Sequence, residues 1–324
     1  MTPILLVIPC LNEAAHLPHL IANLRADPLA KSARIVVADG GSTDRSRAIV
    51  RAFSETDPNI VLLENPKRIQ SAGVNLAVAR YGDEAPFFVR IDAHAGYPPN
   101  FIGLLFDAQQ ASGADAVVIS MRAKANTGRC FQIANASAQN SALGAGGSPH
   151  RSSGSRRFVD HGHHALFKTS AFRAAGGYDE GFTHNEDAEF DARLTAQGGR
   201  ILLAGDIVID YYPRTTIRAL WRQYYMFGRG RAKNVAKHKM KLKLRQFAPA
   251  MVAPAALLSL ASAAWPIAAA PFAVYLALCF GLGALLGIRD KNLCAAFAGL
   301  PAAIIHLAWS CGFWRQRLTQ IISP

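Results

Sequence analysis

Cysteine is scarce in this chain of 324 residues, and what there is lies scattered. Cys10, Cys130, Cys279, Cys294 and Cys311 show no paired or metal-type spacing. They read as buried small residues in a reducing compartment. No GxGxxG fingerprint occurs, which disfavours a nicotinamide-binding Rossmann site. The histidines of "VDHGHH" stand at neither zinc-finger nor HExxH spacing. The opening "MTPILLVIPCLNE" is too short for a signal peptide and has no basic n-region, so it reads as a first β-strand. There is no internal repeat. Two regional absences matter more. Residues 229–245 contain eight basic residues and no acidic one, and Ala248 to Ile288 contains no charged residue at all.

What is present over residues 1–228 is an α/β pattern. Apolar, β-branched runs predict strands at 3–9, 34–40, 59–65, 87–93 and 115–120. Between the first four lie stretches at helical spacing, such as Leu17, Leu20, Ile21 and Leu24. Strand and helix alternating in this way predict a doubly wound, mostly parallel sheet. Ligands of such sheets bind beyond the carboxyl ends of the strands.

The net charge of +13 points to nucleic acid, an anionic membrane surface or phosphorylated substrates. Its distribution chooses the membrane. The basic segment 229–247 abuts the uncharged run and has no interleaved aromatics, so nucleic acid is not an expected partner. A spanning helix needs about 20 apolar residues. The runs Ala248–Ile288 and Asn292–Trp314 therefore lead to an expectation of three membrane segments over 248–314, followed by a short basic tail, 315–324. Pro254, Pro266, Pro271 and Pro301 also allow a re-entrant or interfacial segment. The positive-inside rule keeps the 1–228 domain on the cytoplasmic face.

Chemistry is expected at the strand ends. Asn12 and Glu13 follow the first strand. Asp39 ends the second and is followed by "GGSTD", a tight turn into a helix. Lys67 and Arg68 precede a helix start, where basic groups can meet a diphosphate. In "VRIDAHAG", Asp92 and His94 would project together from an extended chain. That pair fits a metal site, an acid/base pair or merely the polar end of a strand. In "NEDAEFDARL", Asp187 and Asp191 share a helix face, as do Glu186 and Glu189. Such carboxylates favour a helix N-terminus, and one of them could act as a general base.

In order, "VIPCLNE", "VVADGGSTDRS", "NPKRIQSAGVN", "RIDAHA", "GGYDEGF" and "NEDAEFDARL" resemble glycosyltransferase family 2, whose fold is GT-A. With "VDHGHHALF" and "YYPRTTIRALWRQYYMFGRGR", the pattern resembles the ExoA-type exopolysaccharide glucosyltransferases of the succinoglycan pathway. The resemblance implies a GT-A domain with C-terminal transmembrane helices in a bacterial plasma membrane. It further implies inverting transfer from a UDP-sugar, glucose by family, to a polyprenyl-diphosphate-linked oligosaccharide, alongside exopolysaccharide assembly proteins. Pro9, Asn12, Glu13, Asp39, Arg68 and Asp92 would bind the nucleotide sugar. Asp92 and His94 would hold Mn²⁺ or Mg²⁺. Asp187 would be the general base, with Glu186 beside it. His163, His164, Gln223, Arg229 and Arg231 would contact the acceptor or diphosphate.

Two departures stand out. DxD is here DAH, and no QxxRW motif follows the base. The second weighs against a processive synthase and for single addition. A catalytically silent nucleotide-sugar scaffold is the other alternative, disfavoured by the intact "NED".

Overall fold

The computed structural model describes residues 4–146 and 154–322. The chain forms two compact units, Met1–Met121 with Ser152–Asp210 and Arg122–Arg151 with Tyr211–Pro324. The first unit opens with β1 (Ile4–Cys10), α1 (Leu17–Ala26), β2 (Arg34–Asp39), α2 (Ser46–Thr56), β3 (Ile60–Glu64) and α3 (Gln70–Tyr81). It continues through β4 (Phe87–Arg90), β5 (Ala95–Gly96), α4 (Phe101–Ser112) and β6 (Ala116–Ala123). The second unit supplies α5 (Cys130–Gln139) and α6 (Ala142–Ala145). The chain then returns for β7 (Arg157–Val159), β8 (His163–Lys168), α7 (Thr169–Ala174), α8 (Glu186–Ala196) and β9 (Ile201–Tyr211).

The sheet order is β3-β2-β1-β4-β8-β6-β9-β5, with β7 on β9. The expected parallel winding holds across β3, β2, β1 and β4. Strand β8 then runs antiparallel to both β4 and β6, so the sheet is mixed. Alternation along β1 sends Leu6 and Ile8 to one face, with α1 and α4, and Leu5 and Val7 to the other, with α3 and α8. Both faces are covered, which is why the central strands read as unbroken apolar runs. Register aligns Cys10 with Asp39, and Val7 with Arg90. The carboxyl ends of β1, β2 and β4 therefore open at one edge.

The second unit is helical: α9 (Ile217–Lys237), α10 (Leu244–Ala250), α11 (Val252–Leu258), α12 (Ala270–Arg289), α13 (Leu293–Ala296) and α14 (Gly299–Ile322). Helices α9 and α14 approach closely through glycine. A Cβ on Gly312 would lie 2.0 Å from the Tyr225 carbonyl oxygen, and one on Gly228 would lie 2.0 Å from that of Trp309. Pro254 has no N–H to give the Ala250 carbonyl four residues back. Ser310 Oγ and Trp314 Nε1 donate to that carbonyl instead, each at 2.7 Å.

Several expectations change here. Residues 122–146 and 211–228 group with the C-terminal helices rather than with the first unit. Helix α5 is fastened there by a Cys130–Cys294 disulfide and by Ser137 Oγ donating to Asp290 Oδ2 at 2.9 Å. The disulfide corrects the reading of all five cysteines as reduced thiols. Its partners stand 164 residues apart, so spacing could not reveal it. Cys311 is only half-buried. Two stretches, Leu244–Ala263 and Pro266–Arg289, are long and apolar enough to cross a membrane. They carry exposed apolar side chains, including Leu260, Ile267 and Ile288, and exposed Trp265 stands between them. The third uncharged run falls largely in α14, whose Ile305, Ala308 and Phe313 are buried.

Candidate active site

The loops after β1 and β2 are knitted together. Asn12, in the left-handed region at φ 59°, receives Thr43 N–H on its Oδ1 at 2.8 Å. Its own N–H donates to Ser42 Oγ at 2.9 Å. Glu13 N–H donates to Ser46 Oγ at 2.8 Å. Asp39 is buried, and its Oδ2 accepts from the N–H groups of Gly41 at 3.1 Å and Ser42 at 3.2 Å. Both Asp39 and Asn12 thus shape the turn that faces the edge. Gly41 has φ +87°, and a Cβ there would meet Arg68 Nε at 3.3 Å. Arg68 itself holds φ 59°, an uncommon conformation for a long side chain, and is exposed beside that turn. Pro9 lies in β1 opposite Ala38.

Strand β4 ends at Arg90, and residues 93 and 94 turn. The expected side-by-side projection of Asp92 and His94 from an extended chain is therefore not what forms. His94 Nδ1 meets Glu13 Oε1 at 2.9 Å, tying the ends of β1 and β4. Asp92 Oδ2 lies 3.3 Å from His163 Nε2 at the start of β8. Tyr97 OH fixes the Asp92 backbone, accepting from its N–H at 2.7 Å and donating to its carbonyl at 3.0 Å. Burial pushes the Asp92 carboxyl up, but Arg90 and His163 outweigh it and hold it well below the usual carboxylate range.

The decisive residue missed in the sequence is Arg90. It is charged, lies inside a buried strand and sits two positions before Asp92, which was its only visible signal. Its side chain is 2% exposed. Nη1 donates to Asp187 Oδ1 at 2.6 Å and Nη2 to Asp187 Oδ2 at 3.2 Å. Tyr178 OH donates to the same Oδ1 at 2.9 Å. Asp187 and Glu186 open α8 directly after Asn185, which has φ 62°. Burial, then the neighbouring Asp187 charge, pushes the Glu186 carboxyl up to about 7. Elsewhere on α8 the acidic residues are structural. Asp191 meets His161 Nδ1 at 2.7 Å, and Glu189 takes Arg193 Nη2 at 2.6 Å.

Asp39, Asn12, Glu13, Asp92, His94, His163, Glu186 and Asp187 thus come from four strand ends and one helix start in the first unit. The His164 side chain lies outside the described residues. Gln223, Arg229 and Arg231 lie on α9 in the second unit. There Gln223 Nε2 donates to Tyr211 OH at 2.9 Å, and Arg229 Nε to Gln316 Oε1 at 3.2 Å. Among the described residues, no three His, Cys, Asp or Glu side chains are gathered as a metal-binding group. The donor types still suit a hard divalent cation. Asp92 is a quarter exposed and is met on its side-chain oxygens by the long contacts from His163 and Gln70.

The family model for glycosyl transferase family 2 matches residues 5–176, more than half the chain. The chain is a family 2 glycosyltransferase. A second model, glycosyl transferase family group 2, matches residues 125–320. The transferase is 46% identical over 317 residues to succinoglycan biosynthesis protein ExoA of Rhizobium meliloti strain 1021, covering 98% of this chain and 96% of that one. Among solved structures it resembles mannosyltransferase PcManGT from Pyrobaculum calidifontis in complex with GDP-Man and Mn²⁺. That match has 20% identity and TM-score 0.59, and covers 95% of this chain and 88% of that one. It also resembles S. aureus TarS 1-349 in complex with UDP-GlcNAc, at 14% identity and TM-score 0.50, covering 97% and 92%. These two likenesses establish the GT-A fold of the transferase.

Proposed function

We propose that this transferase moves a hexose, with inversion, from a UDP-sugar to a polyprenyl-diphosphate-linked oligosaccharide during exopolysaccharide assembly of the succinoglycan type. The observation that carries this reading is the Glu186–Asp187 carboxylate pair, set beside Arg90 and Asp92 at the edge where the nucleotide loops also open. A carboxylate of that pair takes the proton from an acceptor hydroxyl. The freed oxygen bonds to the anomeric carbon from the face opposite the diphosphate. The bond from that carbon to the diphosphate oxygen breaks, and UDP leaves with the electron pair.

The turn built on Asp39 and Asn12, with Glu13 and Pro9, receives the nucleoside. Arg68 beside it meets the base or diphosphate. Asp92 with His94 would hold a divalent metal, which neutralises charge on the departing diphosphate when bound. His163, already on Asp92, stands among the contacts to the diphosphate or acceptor, and Gln223, Arg229 and Arg231 are assigned to that group from α9. The two apolar stretches and the preceding basic segment support placement at the cytoplasmic leaflet of the plasma membrane, where such an acceptor resides. The 46% identity to a succinoglycan biosynthesis protein over nearly the whole chain supports the pathway class.

The test uses membranes carrying the full chain, host lipids and radiolabelled UDP-glucose with Mn²⁺ or Mg²⁺. One new lipid-linked band of inverted anomeric configuration is expected. A ladder of lengths would mean a processive synthase, and UDP binding without turnover of any nucleotide sugar would mean a silent scaffold.

A further inference from the structure

We propose that Asn75 is a positioning residue for the transfer: its side-chain amide fixes the Tyr178 backbone, and the Tyr178 hydroxyl in turn sets where the Asp187 carboxylate stands. The assignment rests on the transferase reading above and leaves the chemistry of the carboxylate pair as that reading has it. Asn75 lies half-buried in the middle of α3, in the stretch "SAGVNLAV", away from the strand ends. Its Oδ1 accepts from Tyr178 N–H at 2.9 Å, and its Nδ2 donates to the Tyr178 carbonyl at 2.8 Å. One amide thus pairs with both backbone groups of a residue 103 positions away. Nδ2 also donates to Glu180 Oε1 at 3.1 Å, and the other Glu180 oxygen takes Lys67 Nζ. Ser71 Oγ, one turn earlier on α3, donates to the Phe182 carbonyl at 3.4 Å. Helix α3 therefore grips the loop between α7 and α8 at Tyr178, Glu180 and Phe182.

The loop needs that grip. Gly176 and Gly177 stand in the left-handed region, at φ 84° and 67°, where glycine brings wide backbone freedom. Gly177 also makes room for the amide, since a Cβ there would lie 2.8 Å from Asn75 Oδ1. The Tyr178 ring is buried among Phe167, Phe172 and Phe190. Such apolar contacts are non-directional, so the Asn75 bonds are what orient the backbone that carries the ring. From there the Tyr178 hydroxyl accepts from Arg90 Nη1 at 3.2 Å and donates to Asp187 Oδ1 at 2.9 Å. A shift of about 1 Å in a catalytic group can cost about 100-fold in rate. The residue type is specified too. Two of the three Asn75 contacts are donations, to a carbonyl and to a carboxylate, and an aspartate would offer neither.

The experiment measures sugar transfer in membranes carrying the full chain, using whichever donor in a panel of UDP-, GDP- and dTDP-sugars the wild type turns over. Wild type, N75A, Y178F and N75A/Y178F are compared. Calorimetric binding of the matching nucleoside diphosphate serves as the folding control. N75A is expected to lower kcat between about tenfold and about 100-fold, with nucleotide affinity and donor KM unchanged. Y178F loses a hydrogen bond to a charged group and is expected to lower kcat at least about tenfold. Because both act on Asp187 through one hydroxyl, the double variant should match the slower single within about twofold. A residue that only stabilised the fold would multiply the two losses instead. N75D/E180Q keeps the size of the side chain and the bond from Tyr178 N–H but loses the donation to the Tyr178 carbonyl. It replaces N75A in the cycle if N75A fails to bind nucleotide. A wild-type kcat in N75A or Y178F, multiplied losses, or lost nucleotide binding in Y178F or in both Asn75 variants overturns the assignment alone. A wild type inert with every donor overturns the transferase reading and the assignment with it.

Discussion

Replacing Arg90 by methionine isolates the ion pair that organises the site. Methionine keeps an unbranched apolar stem in the space of the arginine chain but removes both N–H contacts to Asp187. Asp187 would keep the Tyr178 bond at 2.9 Å and little else of the clamp. Removing one partner of a buried pair costs about 3–5 kcal/mol. Asp187 is 17% exposed, so some of its charge can be solvated, and the low end, about 3 kcal/mol, is expected. That corresponds to about a 100-fold rise in the open population. All four tryptophans, Trp221, Trp265, Trp309 and Trp314, lie in the second unit, so tryptophan fluorescence would miss the event. Hydrogen exchange of peptides from β4 and α8 is the suitable assay. The double variant R90M/D187N, with no orphaned charge, should regain about 1–2 kcal/mol relative to R90M, a non-additivity that a double-mutant cycle reads directly. Exchange in R90M within about 0.5 kcal/mol of wild type, or strict additivity in the cycle, would refute the ion-pair account.

Three further outcomes are expected. Because the folded-state pKa of Asp92 is depressed, its stabilisation is complete above the unfolded value of about 3.9 and is lost as pH falls below it; D92N should flatten the acid limb of a stability–pH profile, and an unchanged limb would contradict the Arg90 and His163 contacts. In the second unit, G312L would drive a side chain into the Tyr225 carbonyl and should cost at least about 1–3 kcal/mol, read from tryptophan fluorescence during thermal melting. H94A should weaken donor turnover and alter the Mn²⁺ titration; an identical titration would confine His94 to its bond with Glu13.

Much of the frame was legible in the sequence because it rests on local periodicity. All five expected strands form, and the "GGSTD" turn stands at the sheet edge. What periodicity could not carry was pairing across long separations. The apolar strand reading extended "FFVRIDA" to Ala93, whereas pairing stops at Arg90, and that small difference re-aims His94 toward Glu13. His163 was singled out, but its partner Asp92 lies 71 positions away in the chain. Arg90 looked like an ordinary interruption of an apolar strand until Asp187, 97 residues later, was placed opposite it. The Cys130–Cys294 bond was hidden for the same reason.

The sequence by itself therefore determined the family, the doubly wound frame, the strand ends as the place of chemistry and the apolar C-terminal character, since each follows from residue type at fixed local spacing. Only the tertiary structure decided which charges face each other. An ion pair depends on where two chain segments meet and on how much water is excluded there, and neither is written in local spacing. That is why Asp187 appears in the sequence as the acid/base residue, and in the fold as the carboxylate held by a buried arginine.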